Sequence, residues 1–173
     1  PGNRRRPAPS GPGSSASALL KHECAYCLGQ MQDASAIPVL IDVLKNTSED
    51  PMVRHEAGEA LGAIGIDTSD VRSVLTQFAV DSHVEVAETC QLALARLDWL
   101  EKQKQEKQEE KLSSNPYYSV DPAPPAPIKD VAELKAKLLD ESLSMFERYR
   151  AMFQLRNDGS DDAILALCAG KSI

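Results

Sequence analysis

Two dipeptides in this chain have the composition of a metal site, His22-Glu23 and His55-Glu56. Neutral imidazoles and carboxylates on rigid supports form the ligand set of non-haem iron, with zinc or manganese as alternatives, and need no sulfur. The spacing carries as much information as the residue types. His22 and His55 are 33 residues apart, and LLKHECAYCLGQM aligns with MVRHEAGEALGAI at that same offset. A single exposed His-Glu pair reads as a solvated helix face. A pair recurring at one position of consecutive repeats, in a chain with three histidines, reads as a donor set, because equivalent helices pack about 8–10 Å apart and their side chains can reach one ion.

Placed on a helical wheel of about 100° per residue, His22, Glu23 and Tyr26 share one face, while Leu20, Cys24, Leu28 and Met31 share another. His55, Glu56 and Glu59 repeat the first face; Val53, Ala57, Leu61 and Ile64 repeat the second. Both His-Glu pairs are therefore expected to point away from the core. Gly29 and Gly62 flank the histidines and leave a small, open wall that backbone or ligand can approach. Glu59 is a further candidate, for contact with metal or with a cationic substrate. His83 precedes the pattern and receives no role.

Cys24 and Cys27 form a C-x-x-C, a pattern compatible with a redox or zinc site. In the repeat alignment they correspond to Ala57 and Ala60, so they are read as small apolar residues at packing positions. No phosphate-binding glycine loop, nucleophile elbow or H-E-x-x-H motif is present.

These donors require helices. Between the two copies runs AIPVLIDVLKNT, and after the second VRSVLTQFAV, both with helical apolar spacing. Asp50-Pro51 supplies an N-cap acceptor followed by proline at the first helical position. A third, degenerate copy is read at HVEVAETCQLALARL with an offset of 31, from Leu61 to Leu92, which makes Val86 and Ala87 the counterparts of the His-Glu pair. Each copy is a helical pair unable to cover its own apolar stripe, and stacking buries a continuous core. The expected fold is all-α, a HEAT-like α-solenoid. β-Branched runs bounded by turns, which a parallel α/β fold would need, are missing.

Four segments are expected: a disordered basic Pro/Gly/Ser tail at 1–17, repeats at 18–100, a charged and Pro-rich linker at 101–128, and the start of a second repeat array at 129–173. In the last, MFERYRAMFQLRN is a further copy with Tyr149 at the His55 position. The tail has no apolar signal-peptide core, and its prolines and glycines spoil a mitochondrial-type helix. The net charge is −7, and because residues 1–17 contribute three arginines and no acid, the remainder carries −10. This acidity argues against nucleic acid and favours cationic partners. No apolar run spans a bilayer, and four sparse cysteines suit a reducing, cytoplasmic setting.

The segments KHECAYCLGQMQDASAIPVLIDVL, PMVRHEAGEALGAIG, EVAETCQLALARLDWL, YYSVDPAPPAP and FERYRAMFQLRN together resemble the deoxyhypusine hydroxylase family, over about residues 18–168. The resemblance implies a HEAT-repeat di-iron monooxygenase, with Fe(II) and O2, that hydroxylates the deoxyhypusine side chain of translation factor 5A. It further implies four His-Glu pairs in two pseudo-symmetric halves, with His22-Glu23 and His55-Glu56 as the pairs of the first half. Residues 1–17 do not match and stand where opening repeats would lie, and both second-half pairs fall beyond Ile173. The isolated chain, whether a fragment, splice form or incomplete gene model, is thus expected to bind at most one iron and to be inactive alone. Two other readings are a non-catalytic HEAT scaffold and a HEAT-like lyase relative; the latter does not call for paired His-Glu at successive positions.

Overall fold

The computed structural model describes residues 17–106 and 115–170; the expectation of a disordered tail falls almost wholly on residues outside these ranges. Among the described residues there are eight α-helices and no strand: α1 (Ala18–Met31), α2 (Ile37–Lys45, entered through a short 3-10 turn), α3 (Pro51–Ile64), α4 (Ser69–Phe78), α5 (Val84–Glu106), α6 (Val131–Leu139), α7 (Met145–Asp158) and α8 (Asp161–Gly170). The helices α1, α3, α5 and α7 pack side by side in one layer. The second layer has α2 against α3 and α4, α4 against α5, and α6 and α8 against α7. This is the all-α repeat stack expected from the 33-residue period.

Local chemistry explains the boundaries. The Asp50 carboxylate accepts from the Met52 N–H at 2.9 Å, with Pro51 at the first helical position, and α3 ends at Gly65 with φ +68°. The left-handed conformation there costs glycine nothing, and α7 ends on Gly159 in the same way, at φ +67°. A second recurrent device ties the layers together. Arg54 on α3 donates from Nε to the Leu44 carbonyl at 3.1 Å, and Arg148 on α7 donates from Nε to the Leu138 carbonyl at 3.0 Å. Each caps the C-terminal turn of the preceding helix, whose last carbonyls lack helical partners. Arg54 is buried and forms an ion pair with Asp81 at 2.5 Å while stacking on Phe78.

The main core joins α1 to α5 through Leu40, Leu44, Ala57, Leu61, Val71, Leu75, Val86, Cys90 and Leu97. Its pattern corrects the register read for the third copy. An offset of 31 would bury Val84, which is 63% exposed, whereas an offset of 33 aligns Val53, Ala57, Leu61 and Ile64 with Val86, Cys90, Leu94 and Leu97, all in or against this core. Glu88 and Thr89, not Val86 and Ala87, are therefore the counterparts of His55 and Glu56. The miss has a simple origin: several leucines and alanines in α5 match the template at either offset, and burial alone separates them.

Two further expectations change. Gly29 and Gly62 do not leave an open wall. A Cβ on Gly29 would lie 2.9 Å from Ala60 Cα, and one on Gly62 2.9 Å from Ala93 Cβ, so the next helix of the layer fills the space. Cys24 and Cys27 are exposed, although their counterparts Ala57 and Ala60 are buried. Among the described residues no helix covers that edge of α1. Cys24 instead lines an apolar groove of about 270 Å³ with Leu20, Leu28, Val39 and Val43.

After α5, residues 115–130 run along the layer of α1, α5 and α7 without regular structure. Gln30 on α1 exchanges two hydrogen bonds with the Val120 backbone, at 3.1 and 2.8 Å, and Arg156 on α7 holds Asp121 in a two-pronged ion pair at 2.9 and 2.6 Å. Arg150 donates to the carbonyls of Pro124 and Pro125, which have no N–H with which to build sheet or helix. Ala123 packs with Leu92 of α5 and Phe146 of α7, so this segment seals the seam between the two helix groups. Among the described residues no helix is long and apolar enough to cross a membrane.

Candidate metal centre

Stacking of α1 on α3 brings the two histidine rings together, with centroids 5.5 Å apart and planes tilted by 40°. Glu56 Oε2 lies between them, 3.2 Å from His22 Nε2 and 4.0 Å from His55 Nε2. Among the described residues these three side chains form a group of potential metal donors whose ligand atoms all lie within 4.8 Å of one another. The other predicted residues surround it. Glu23 stands outside the group, 57% exposed, with Oε1 3.4 Å from His22 Nδ1. Glu59 is half-buried one turn beyond Glu56 on α3. His83 is exposed and not part of the group, its ring held against Asp81 at 3.1 Å.

Glu56 does not face open solvent as the wheel suggests; its side chain is 6% exposed. The residue after the histidine position points back toward the preceding helix of the layer. For Glu56 that helix is α1, which covers it. For Thr89, its counterpart on α5, it is α3, and Thr89 Oγ1 meets His55 Nδ1 at 3.3 Å. For Glu23 the described residues place nothing on that side, and it is exposed. One geometric rule of the repeat thus accounts for three different environments.

Electrostatics follow burial. The Glu56 carboxyl is pushed up to about 7, by desolvation first and by the charge of Glu23 second. Glu59 is likewise pushed up to about 7, chiefly by desolvation, with Glu56 adding to it. Burial, and then the neighbouring His22, depress the proton affinity of His55. Tyr149, the α7 residue at the histidine position, has its phenol raised by burial and by the charges of Glu59 and Glu88. A neutral imidazole is the form that ligates, and carboxylates strained by desolvation gain most from a cation.

The residues fit a first-row divalent ion. Donors about 2.1 Å from a shared ion lie at most about 4.2 Å apart, close to the spacing found here. His22 Nδ1, on the far edge of its ring from Glu56, is buried, and Glu23 Oε1 is the carboxylate oxygen that faces it, at 3.4 Å. Two imidazole nitrogens and one carboxylate oxygen, with nothing softer, suit iron, manganese or zinc.

Fold and site define a class, the HEAT-repeat proteins with a His/Glu donor group between stacked helices, and residues 14–95 match the HEAT-repeat family. Within that class the chain is 60% identical over 154 residues to deoxyhypusine hydroxylase of Homo sapiens, covering 89% of this chain and 49% of that protein. The Mus musculus enzyme is 62% identical over 154 residues with the same coverage. The solved structure of human deoxyhypusine hydroxylase in complex with glycerol superposes with a TM-score of 0.82 at 58% identity, over 92% of this chain and 53% of that one. The chain belongs to the deoxyhypusine hydroxylase family, and it spans about half the length of the curated relatives it matches.

Thr89 and Tyr149 complete the surroundings of the donor group and were not assigned to it from sequence. The signal for Thr89 was present, since an offset of 33 carried one repeat further places it at the Glu56 position.

Proposed function

We propose that this chain supplies one metal-binding half of a deoxyhypusine monooxygenase, which hydroxylates the deoxyhypusine side chain of translation factor 5A in the cytoplasm with Fe(II) and O2 at a di-iron centre. The observation that carries the reading is the three-donor group built by consecutive repeats, in a chain whose relatives are deoxyhypusine hydroxylases. The proposed ligands are His22, Glu23, His55 and Glu56, with Glu23 contributing from the rim.

Bound there, iron would supply the activation of dioxygen that amino-acid side chains cannot perform. His22 and His55 would hold it through their Nε2 atoms, and the Glu56 carboxylate would offset its charge. The deoxyhypusine side chain is a polyamine-like cation, so its ammonium groups call for buried or focused acidity. Glu59, half-buried one turn from Glu56, is proposed as the carboxylate that receives them; the net charge of −10 over residues 18–173 draws them in.

The test is an anaerobic Fe(II) titration of the 173-residue chain with elemental analysis. About one ion per chain is expected in the wild type, a marked loss in His55→Ala and none in His83→Ala; equal losses would reject the assignment. Glu59→Gln is expected to weaken binding of the deoxyhypusine form of translation factor 5A while retaining iron. Gain of one oxygen atom by that factor is not expected from this chain alone, because the described residues assemble one donor group where a di-iron centre needs two.

A further inference from the structure

The third repeat has no His-Glu pair, yet it touches the site. At the corrected offset of 33 its Glu88 and Thr89 stand where the second repeat has His55 and Glu56. Thr89 Oγ1 is the atom that meets the ring of His55 away from the donor group, 3.3 Å from Nδ1, while Nε2 of the same ring faces Glu56. Its Cγ2 methyl lies over Gly58, 3.6 Å from where a Cβ on that residue would stand, so the absence of a side chain there leaves room for Thr89 beside α3. The two ring nitrogens are thus divided between two helices, α3 offering the carboxylate and α5 the hydroxyl.

An imidazole that ligates through Nε2 must carry its proton on Nδ1, and that N–H needs an acceptor inside a partly buried site. We infer that Thr89 is a positioning residue for the metal centre: its hydroxyl oxygen accepts the Nδ1 proton of His55 and so holds the ring in the tautomer and orientation that present Nε2 to the ion. The inference rests on the metal-site reading above and adds to it a role for the repeat that has no ligands. It also explains why a hydroxyl suffices at this position. A carboxylate here would be a further buried negative charge beside Glu56 and Glu59, whereas threonine provides the acceptor without the charge.

The test uses the whole chain with Zn(II) as a diamagnetic probe. Thr89→Val keeps the branched shape of the side chain and removes the acceptor; it is expected to weaken Zn(II) binding by roughly tenfold or more, the range seen when supporting partners of metal-ligating histidines are removed. Thr89→Ser, which restores the hydroxyl, is expected to return most of the affinity, and the unfolding midpoint of the metal-free Val variant should stay near wild type. Two-bond proton–nitrogen NMR correlations on the Zn(II)-loaded wild type should show His55 protonated at Nδ1. Protonation at Nε2 would overturn the inference, whatever the fate of the Val variant. Equal Zn(II) affinity in wild type and Thr89→Val would also overturn it. A wild-type chain that binds no Zn(II) or Fe(II) would instead overturn the metal-site reading, and this inference with it.

Discussion

Replacing Glu56 with glutamine should make the metal-free chain more stable while weakening its hold on metal. Glu56 is 5% exposed, and its carboxyl is pushed up from 4.5 to about 7. At pH 8 the side chain is ionised whether the chain is folded or not, so folding carries the full cost of that raised value. At 1.36 kcal/mol per pH unit this cost is roughly 3 kcal/mol. Some of it survives in the variant, because a buried amide is also desolvated, and the smaller part of the shift comes from the charge of Glu23 rather than from burial. A gain of about 1–2 kcal/mol is the working expectation. The pH dependence gives the sign. Between about 4.5 and 7 the folded chain binds more protons at this site than the unfolded chain, so the carboxylate penalty is absent at the acid end, grows through the window and is constant above it. Urea unfolding of metal-free wild type and Glu56→Gln should therefore show the gain at pH 8 and most of it gone at pH 5. A variant equally favoured at both values, or destabilised at both, would refute the claim that a desolvated carboxylate is held here at a cost to folding.

Other predictions concern the frame around the site. Gly62→Ala should destabilise the chain by about 1–2 kcal/mol, overpacking against Ala93 outweighing the helix-propensity gain, while Gly58→Ala, whose Cβ would meet Cys90 Sγ at an ordinary 3.4 Å, should be neutral or stabilising by up to about 1 kcal/mol. Chemical denaturation of the two variants compares them directly, and the same sign for both would contradict the stacking geometry. Arg54→Met should cost about 3 kcal/mol, because it leaves the Asp81 carboxylate, whose side chain is 7% exposed and whose pKa Arg54 chiefly holds well below the usual range, with His83 alone as partner. Adding Asp81→Asn to that variant should recover part of the loss in a double-mutant cycle, which additive losses would exclude.

The layered fold was legible because its causes are local and repeated. The 33-residue period repeats one apolar stripe, and Asp50-Pro51 acts within a single turn; the structure answers them with stacked helices and a capped α3. What could not be read is what depends on a neighbour. Cys24 and Cys27 look like packing residues by analogy with Ala57 and Ala60, but a packing position is buried only when a helix lies on that side, and the described residues place none against that edge of α1. Residues 115–126 carry no periodicity at all. Their order comes from Gln30, Arg150 and Arg156, donors 25 to 90 residues away in the chain whose partners are mostly backbone carbonyls, which every sequence has.

The site divides along the same line. His22 and His55 were legible because the repeat copies both the residue type and its place on the helix, and stacking of identical units then fixes their approach. Glu56 was legible as a donor but not as a buried one, since burial is conferred by α1 and the helical wheel of α3 contains no information about α1. Thr89 was lost for a different reason. A slip of two residues in the register of α5 replaces a residue facing His55 with one in the core. The physical remedy is burial periodicity: Val86, Cys90, Leu94 and Leu97 follow a helical stripe continuous with that of α3, while Val84 and Glu88 break it. Registers of degenerate repeats are therefore better set by which residues must be dry than by which letters match. Set in that way, the third repeat ceases to be filler, because it places the Thr89 hydroxyl against the ring of His55 in the second.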